Sequence, residues 1–275
     1  MSPDLELRHQ VSVPAPGHPA CDQLVGLYSF PKSGNTWLRA IMVGIFQIPP
    51  GRGVLANYVA DTHMGLGIGH IPWQHHGRTW CFYKSHNKIP LVHDGGQDFL
   101  PDKIIHIYRN PLDVFVSYLN YLSGNVTALS EKVCGFPFEQ IEDLTSQQMD
   151  HLFQRFTRYG TFDPRPANPF GSFFESIDNF TRLQQAGGAV HILRYEDLID
   201  DFKTALRDIY GFLGLPHKPG DLDRVRRQSD DLTRCDGKFF WKRKVGTHRD
   251  YLSSVQIDAF WQVHGHRMTA LGCTR

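Results

Sequence analysis

Little in this 275-residue chain points to a crosslinked, membrane-spanning or strongly charged protein. Its five cysteines, Cys21, Cys81, Cys134, Cys235 and Cys273, are odd in number and scattered, with no C-x-x-C pair. That distribution argues against a disulfide framework and against a structural zinc site, and it fits a reducing cytoplasm. The longest apolar run, Ala40 to Ile48, is far short of the ~20 residues a spanning helix needs. The polar, proline-bearing stretch 1–19 lacks the apolar core of a signal peptide. With a formal net charge of +1, no bulk field draws the chain to nucleic acid or an acidic membrane, so any basic site has to be local. Repeats and low-complexity tracts are absent. The fifteen histidines form no H-E-x-x-H pattern, and even the adjacent His75 and His76 read as surface residues. The N-x-T triplets at Asn125 and Asn179 would matter only in a secreted protein.

What is present is ordinary in bulk and specific in detail. A hydrophobic fraction of 41% and a charged fraction of 21% suit one globular domain with insertions. Short apolar or β-branched runs at Leu24–Phe30, Thr79–Lys84, Lys103–Tyr108 and Val190–Tyr195 predict buried parallel strands. Helical patterns alternate with them, which predicts an α/β fold: a single domain with a central parallel sheet flanked by helices. Residues 1–20 read as a flexible lead-in and 21–275 as the catalytic domain. The Gly-, Pro- and His-rich stretch 51–77 reads as a long loop. A second irregular zone, 123–171, holds a helix over Thr145–Tyr159, and a further helix from about Asp201 to Leu213 stops at Gly214.

The strand ending at Phe30 runs into Pro31-Lys32-Ser33-Gly34, and a helix begins near Asn35 with Trp37, Leu38, Ile41, Met42 and Ile45 at helical spacing. Such a strand-turn-helix unit aims several N–H groups and the positive end of a helix at one point. Lys32 and the hydroxyls of Ser33 and Thr36 add charge and donors there, making a cradle for phosphate or sulfate. A nucleoside-triphosphate loop places its Lys after the second Gly of G-x-x-x-x-G-K-[ST]. Here Lys32 precedes Gly34, and no upstream Gly has the required spacing. Downstream, Arg109 stands before a helix that Asn110 caps, that Pro111 opens and in which Asp113 completes the capping pattern. Ser117 lies two turns into that helix. Between the two segments, Lys84 and His86 end a strand two residues apart, on the same side.

These segments resemble the sulfotransferases that use 3′-phosphoadenosine 5′-phosphosulfate (PAPS, leaving PAP). Pro31, Lys32, Ser33, Gly34, Thr36 and Trp37 match the family's Y-P-K-S-G-T-T-W loop, with Asn35 for the first Thr. Arg109 and Ser117 match R-N-P-x-D-x-x-x-S-Y, whose Arg and Ser bind the 3′-phosphate in that family. Lys84-Ser85-His86 resembles K-[ST]-H-x-x-P, in which His is the catalytic base and Lys supports the transferring group; the spacing here to Pro90 is longer. Leu193 to Leu198 resembles L-x-Y-E-D-L, which places Tyr195 beside the adenine, and Gly171 to Phe174 resembles G-S-W-F. The C-terminal R-K-G-x-x-G-x-W aligns on Gly246, giving Lys242 the role of one 3′-phosphate cation and Arg243 or Lys244 that of its companion.

The resemblance implies a P-loop-like sulfotransferase fold and in-line transfer of a sulfuryl group to a hydroxyl or amine of a small acceptor. Lys32 and Lys84 would stabilise charge, and His86, an imidazole with an ordinary pKa near ~6.5, would take the proton. The cofactor set comprises Lys32, Ser33, Gly34, Asn35, Thr36, Trp37, Arg109, Ser117, Tyr195 and the C-terminal cations, with no metal ligands. Aromatic residues within 115–122 and 153–174 suggest a partly apolar, hydroxyl-bearing acceptor. Arg249, Ser253, Ser254 and Asp258 stand where the family's dimer pattern K-x-x-x-T-V-x-x-x-E would fall, so monomer and homodimer both stay open. Two rival readings are a nucleotide kinase-like phosphate-loop enzyme, which requires ATP and Mg²⁺, and a non-catalytic PAPS- or PAP-binding module.

Overall fold

A computed structural model describes residues 18–62, 68, 71–94, 97–125, 127–234 and 244–275. The first unit is β1 (Gln23–Tyr28) followed by α1 (Asn35–Ile45), then α2 (Val54–Tyr58), β2 (Val59–Asp61), β3 (Trp73–His75) and β4 (Arg78–Ser85). A small hairpin, β5 (Val92–Asp94) with β6 (Gln97–Phe99), precedes β7 (Lys103–Tyr108). Helices α3 (Pro111–Asn125), α4 (Thr127–Cys134), α5 (Ser146–Tyr159) and α6 (Phe173–Gln185) lead to β8 (Val190–Arg194). The chain closes with α7 (Tyr195–Asp200), α8 (Phe202–Leu213), α9 (Pro219–Arg234) and α10 (Ser254–Ala270).

The main sheet has the order β2-β4-β1-β7-β8, all parallel, with β3 antiparallel on β4. Alternation along β1 explains its apolar run. Val25 and Leu27 face one helical layer with α1, α8 and α9, while Leu24 and Tyr28 face Phe180 of α6. Both faces are buried, so neither can be polar. Helix α9 lies close against α1, where a Cβ added to Gly44 would sit 3.1 Å from Val225 Cγ1. A third cluster, built from α3, α5, α6 and α10, centres on Phe115, Phe153, Phe156 and Phe260. Burying four such rings contributes roughly 1.5–3 kcal/mol each, enough to fix these helices beyond the ends of the strands.

The expected strands occur, with β1 ending at Tyr28 and β8 at Arg194. The stretch 51–77 is not one long loop, since it contains α2, β2 and β3. β2 is three residues long, too short to show a period, and exists because Val59 pairs with Phe82 and Asp61 with Lys84. β3 turns into β4 through His76 (φ 49°) and Gly77 (φ 72°), a two-residue reversal whose first position carries no obvious turn residue. Helix α4 likewise lies in the zone read as irregular. Residue 18 is already seated: the His18 ring is buried against Phe99, with centroids 5.0 Å apart.

Candidate active site

The parallel strands end together, so Tyr28, Ser85, Tyr108 and Arg194 bring their following loops to one edge of the sheet, where α/β proteins bind ligands. The 31–37 loop opens this edge. Lys32 holds a left-handed backbone (φ 69°), a conformation that costs an L-residue about 1–2 kcal/mol, and Gly34 follows at φ 104°. A strained non-glycine turn at a strand end points to function rather than stability. Helix α1 starts at Asn35; Trp37 N donates to the Gly34 carbonyl at 3.0 Å, and the N–H groups of Asn35 and Thr36, which have no i−4 acceptor within the helix, lie at the same edge. Ser33 Oγ is fully buried and has no hydrogen-bond partner among the described residues.

Lys32 Nζ lies 4.6 Å from the centroid of the Tyr121 ring on α3. Burial first, then the charges of Lys84 and Arg109, push its ammonium down to about 8. Three cations therefore share one field. Lys84 Nζ reaches Asp61 Oδ2 at 2.8 Å, and burial outweighs that carboxylate, leaving the Lys84 pKa lowered. Asp61 was not visible as a site residue in the sequence, because its strand β2 was not. Arg39 of α1 locks that strand by donating to the carbonyls of Leu55 and Val59, each at 2.7 Å.

His86 follows β4. Its Nδ1 donates to the Ser29 carbonyl at 2.8 Å, which leaves Nε2 as the basic nitrogen, and its ring meets Phe170 with centroids 5.9 Å apart. The loop beyond is tied down by Lys88, whose ammonium pairs with Glu175 at 2.8 Å and whose carbonyl accepts from Asn179 Nδ2 at 3.0 Å. Ser172 and Glu175 form the capping box that starts α6. The Gly171–Phe174 segment therefore supports the histidine loop.

Arg109 ends β7. Its guanidinium stands 4.7 Å over the Tyr195 ring and donates to the Lys244 carbonyl at 2.8 Å, while its buried Nε has no partner among the described residues. Tyr195 joins the two anion motifs, since its ring also packs edge-on against Trp37 at 5.7 Å and fills the space beside Gly34. Ser117 is half-buried on α3.

One sequence reading changes. Asn110 caps α3 through Leu112 N at 2.9 Å, but Asp113 does not complete that cap. Its carboxylate instead gathers the C-terminal segment, accepting from Gly246 N at 2.8 Å, Thr247 Oγ1 at 3.2 Å, and His248 N and Nδ1 at 3.0 and 2.7 Å. Burial alone would raise its pKa, but the His248 bonds and Arg109 bring it down to about 2. Asn35 turns its amide inward, to Leu27 O and Ser29 Oγ, each at 3.1 Å. Trp37 is 3% exposed and stacks on Phe202 at 5.9 Å, within the core. Thr36 is half-buried at the start of α1. Lys242 and Arg243 lie outside the described residues; Lys244 is exposed and meets Arg109 through its carbonyl. Glu196, another residue the sequence did not single out, holds the start of α3 by accepting from Asn110 N at 2.9 Å.

The family model described as "Sulfotransferase domain" matches residues 22–272. The chain belongs to the sulfotransferase family. Its enzyme class is accordingly that of the PAPS-dependent sulfotransferases. It is 25% identical to a 3-beta-hydroxysteroid sulfotransferase of Cavia porcellus over 87% of this chain and 82% of the relative. With cytosolic sulfotransferase 14 of Arabidopsis thaliana it shares 29% identity, over 91% and 76%. The fold is similar to that of a mouse sulfotransferase complexed with PAP, at a TM-score of 0.58 and 19% identity over 98% of this chain and 90% of that one.

Proposed function

We propose that the 31–37 loop holds the 5′-phosphosulfate of PAPS and that Arg109 and Ser117 hold its 3′-phosphate. The acceptor is a small, partly apolar molecule whose hydroxyl or amine faces His86. The observation that carries this reading is the Ser33 hydroxyl, buried without a partner among the described residues, beside Lys32 and the first turn of α1. A buried polar atom normally has a partner, and an anionic oxygen in this cradle supplies one. The Nε of Arg109, without a partner among the described residues, makes the same case for a second anion, which its fork of donors suits.

PAPS supplies an activated sulfuryl group, and the chain's residues bind, orient and neutralise. Lys32 stabilises charge on the departing phosphate oxygen. Lys84 commits one of its three donors to Asp61 and keeps its charge beside Lys32. His86, fixed by Ser29, receives the acceptor's proton at Nε2. Tyr195 packs between the two anion subsites, and Asp113 brings the 244–248 segment, with Lys244, against Arg109. The acceptor meets Tyr121 and Phe170, because the other aromatics of 115–122 and 153–174 mostly fill the core. Support for a small apolar acceptor comes from the steroid-acting relative. Among the described residues no helix is long and apolar enough to cross a membrane.

The test is transfer of labelled sulfate from PAPS across a panel of phenols, sterols, aliphatic alcohols and amines. Transfer to at least one class, lost in Lys32→Ala and made pH-insensitive in His86→Ala, supports the proposal. ATP-dependent phosphorylation would favour the kinase reading, and PAP binding with no transfer to any acceptor would favour a binding module.

A further inference from the structure

At the opposite end of the sheet from the 31–37 loop, three side chains converge that sulfuryl transfer does not use. His18 and Cys21 precede β1, and Cys81 lies within β4, paired in register with Leu24. One ligand atom from each, the His18 nitrogen and the two Sγ atoms, all lie within 4.8 Å of one another. His18 and Cys81 are buried and Cys21 is half-buried. The segment that carries Cys21 is clamped to β4 next door, with Asp22 N donating to Thr79 O at 2.9 Å and Thr79 N to Asp22 Oδ2 at 2.8 Å.

The Cys21 and Cys81 sulfurs lie within 4.8 Å of each other, close enough for one ion to bind both. A cation bound to both sulfurs would displace both thiol protons. Asp94 Oδ2 lies 3.2 Å from His18 Nε2, the carboxylate–imidazole contact that orients metal-bound histidines. It places the proton on Nε2, so the metal would take the Nδ1 lone pair, which here accepts from Ala20 N at 3.3 Å. Metal–sulfur bonds of about 2.3 Å and metal–nitrogen bonds of about 2.0 Å bring such donors to roughly 3.5–4 Å from each other, so the triangle closes with small movements.

We propose that His18, Cys21 and Cys81 bind one thiophilic metal ion, Zn(II) or Cu(I), with Asp94 as the outer carboxylate. Two thiolates and one imidazole select soft or borderline d¹⁰ ions over Mg(II) or Ca(II). Zn(II) would complete its shell with water, whereas Cu(I) is content with three ligands.

The experiment uses the full chain, reduced and stripped of metal. Co(II), as a reporter for Zn(II), is expected to give a thiolate charge-transfer band that saturates at one equivalent and is bleached by Zn(II). Cu(I) is titrated in competition with bicinchoninate. Cys21→Ser and Cys81→Ala should abolish one-equivalent binding, and Asp94→Asn should weaken it ~10–100-fold. Bound metal should also protect Cys21 from alkylation in the wild-type protein, a readout that needs no variant to fold. The proposal is overturned if neither ion binds at one equivalent. It also fails if binding survives Cys21→Ser but disappears in the His75→Gln/His76→Gln control, or if the reduced pair forms a disulfide instead of taking metal.

Discussion

The ammonium of Lys84 donates to Asp61 Oδ2 across 2.8 Å, between register partners on adjacent parallel strands. Only 12% and 16% of the two side chains are exposed. The pair ties the edge strand β2 to the catalytic edge and holds one of the site's three cations in place. It is the site's main structural debt to a strand three residues long.

Removing one partner should therefore hurt more than removing both. Asp61→Asn leaves Lys84 buried beside Arg39 and Lys32, and we expect destabilisation near the low end of the ~3–5 kcal/mol seen for broken buried pairs. Asp61→Asn/Lys84→Met should recover most of that stability in urea unfolding while transfer stays low. If the double variant were as unstable as the single one, the pair would not be the cause.

On the proposed function, Lys32 trades stability against activity. Its ammonium is pushed down to about 8 mainly by burial, so the folded protein holds that proton less tightly than the unfolded chain. Stability should rise with pH between about 8 and the ordinary lysine value of ~10.4, as the buried charge is relieved. Lys32→Met removes the charge outright. A raised melting temperature is expected, together with a loss of transfer of at least ~10²-fold. PAP affinity should weaken as pH rises through about 8, and calorimetry in buffers of different ionisation enthalpy should show proton uptake on binding there.

The charge of Asp113 stabilises the fold, whereas that of Lys32 destabilises it. A carboxyl held down at about 2 contributes stability that is complete above its ordinary value of ~3.9 and is lost as pH falls towards 2. Asp113→Asn should cost about 2 kcal/mol at pH 7 and flatten the stability profile between pH 4 and pH 2. Because the 244–248 segment loses its anchor, PAP affinity should drop as well. Unchanged PAP binding would separate that segment from the 3′-phosphate.

Gly34 tests the junction of the two proposed anion subsites. A Cβ there would lie 2.5 Å from Tyr195 Cδ2, on a backbone with φ 104°. Gly34→Ala should cost roughly 1–3 kcal/mol in strain alone and displace Tyr195 from Arg109. PAP titration is expected to show weakened binding even where circular dichroism reports a folded protein.

The legible parts of the site were those written in contiguous residues. Pro31 to Trp37 announces a strand, a tight turn and a helix start, because each step has its own local chemistry. Arg109-Asn110-Pro111 announces a capped helix for the same reason, and the α/β alternation followed from apolar runs that both sheet faces must bury. Asp113 was misread because its spacing also fits a cap, while its true partners, Gly246 to His248, are far along the chain. His18, Cys21 and Cys81 carry no recognisable spacing because strand pairing, not sequence proximity, joins them.

By itself the sequence determined the alternation of elements, the anion cradle with Lys32 before Gly34, and the family, since backbone conformation and helix starts are set by neighbouring residues. Tertiary structure alone decided how the charges are held. Asp61 restrains Lys84, Ser29 orients His86, Tyr195 packs between Gly34 and Arg109, and Asp113 draws in the C-terminal segment. Each of these contacts depends on register and burial across the sheet edge, where distance in space has no counterpart in distance along the chain.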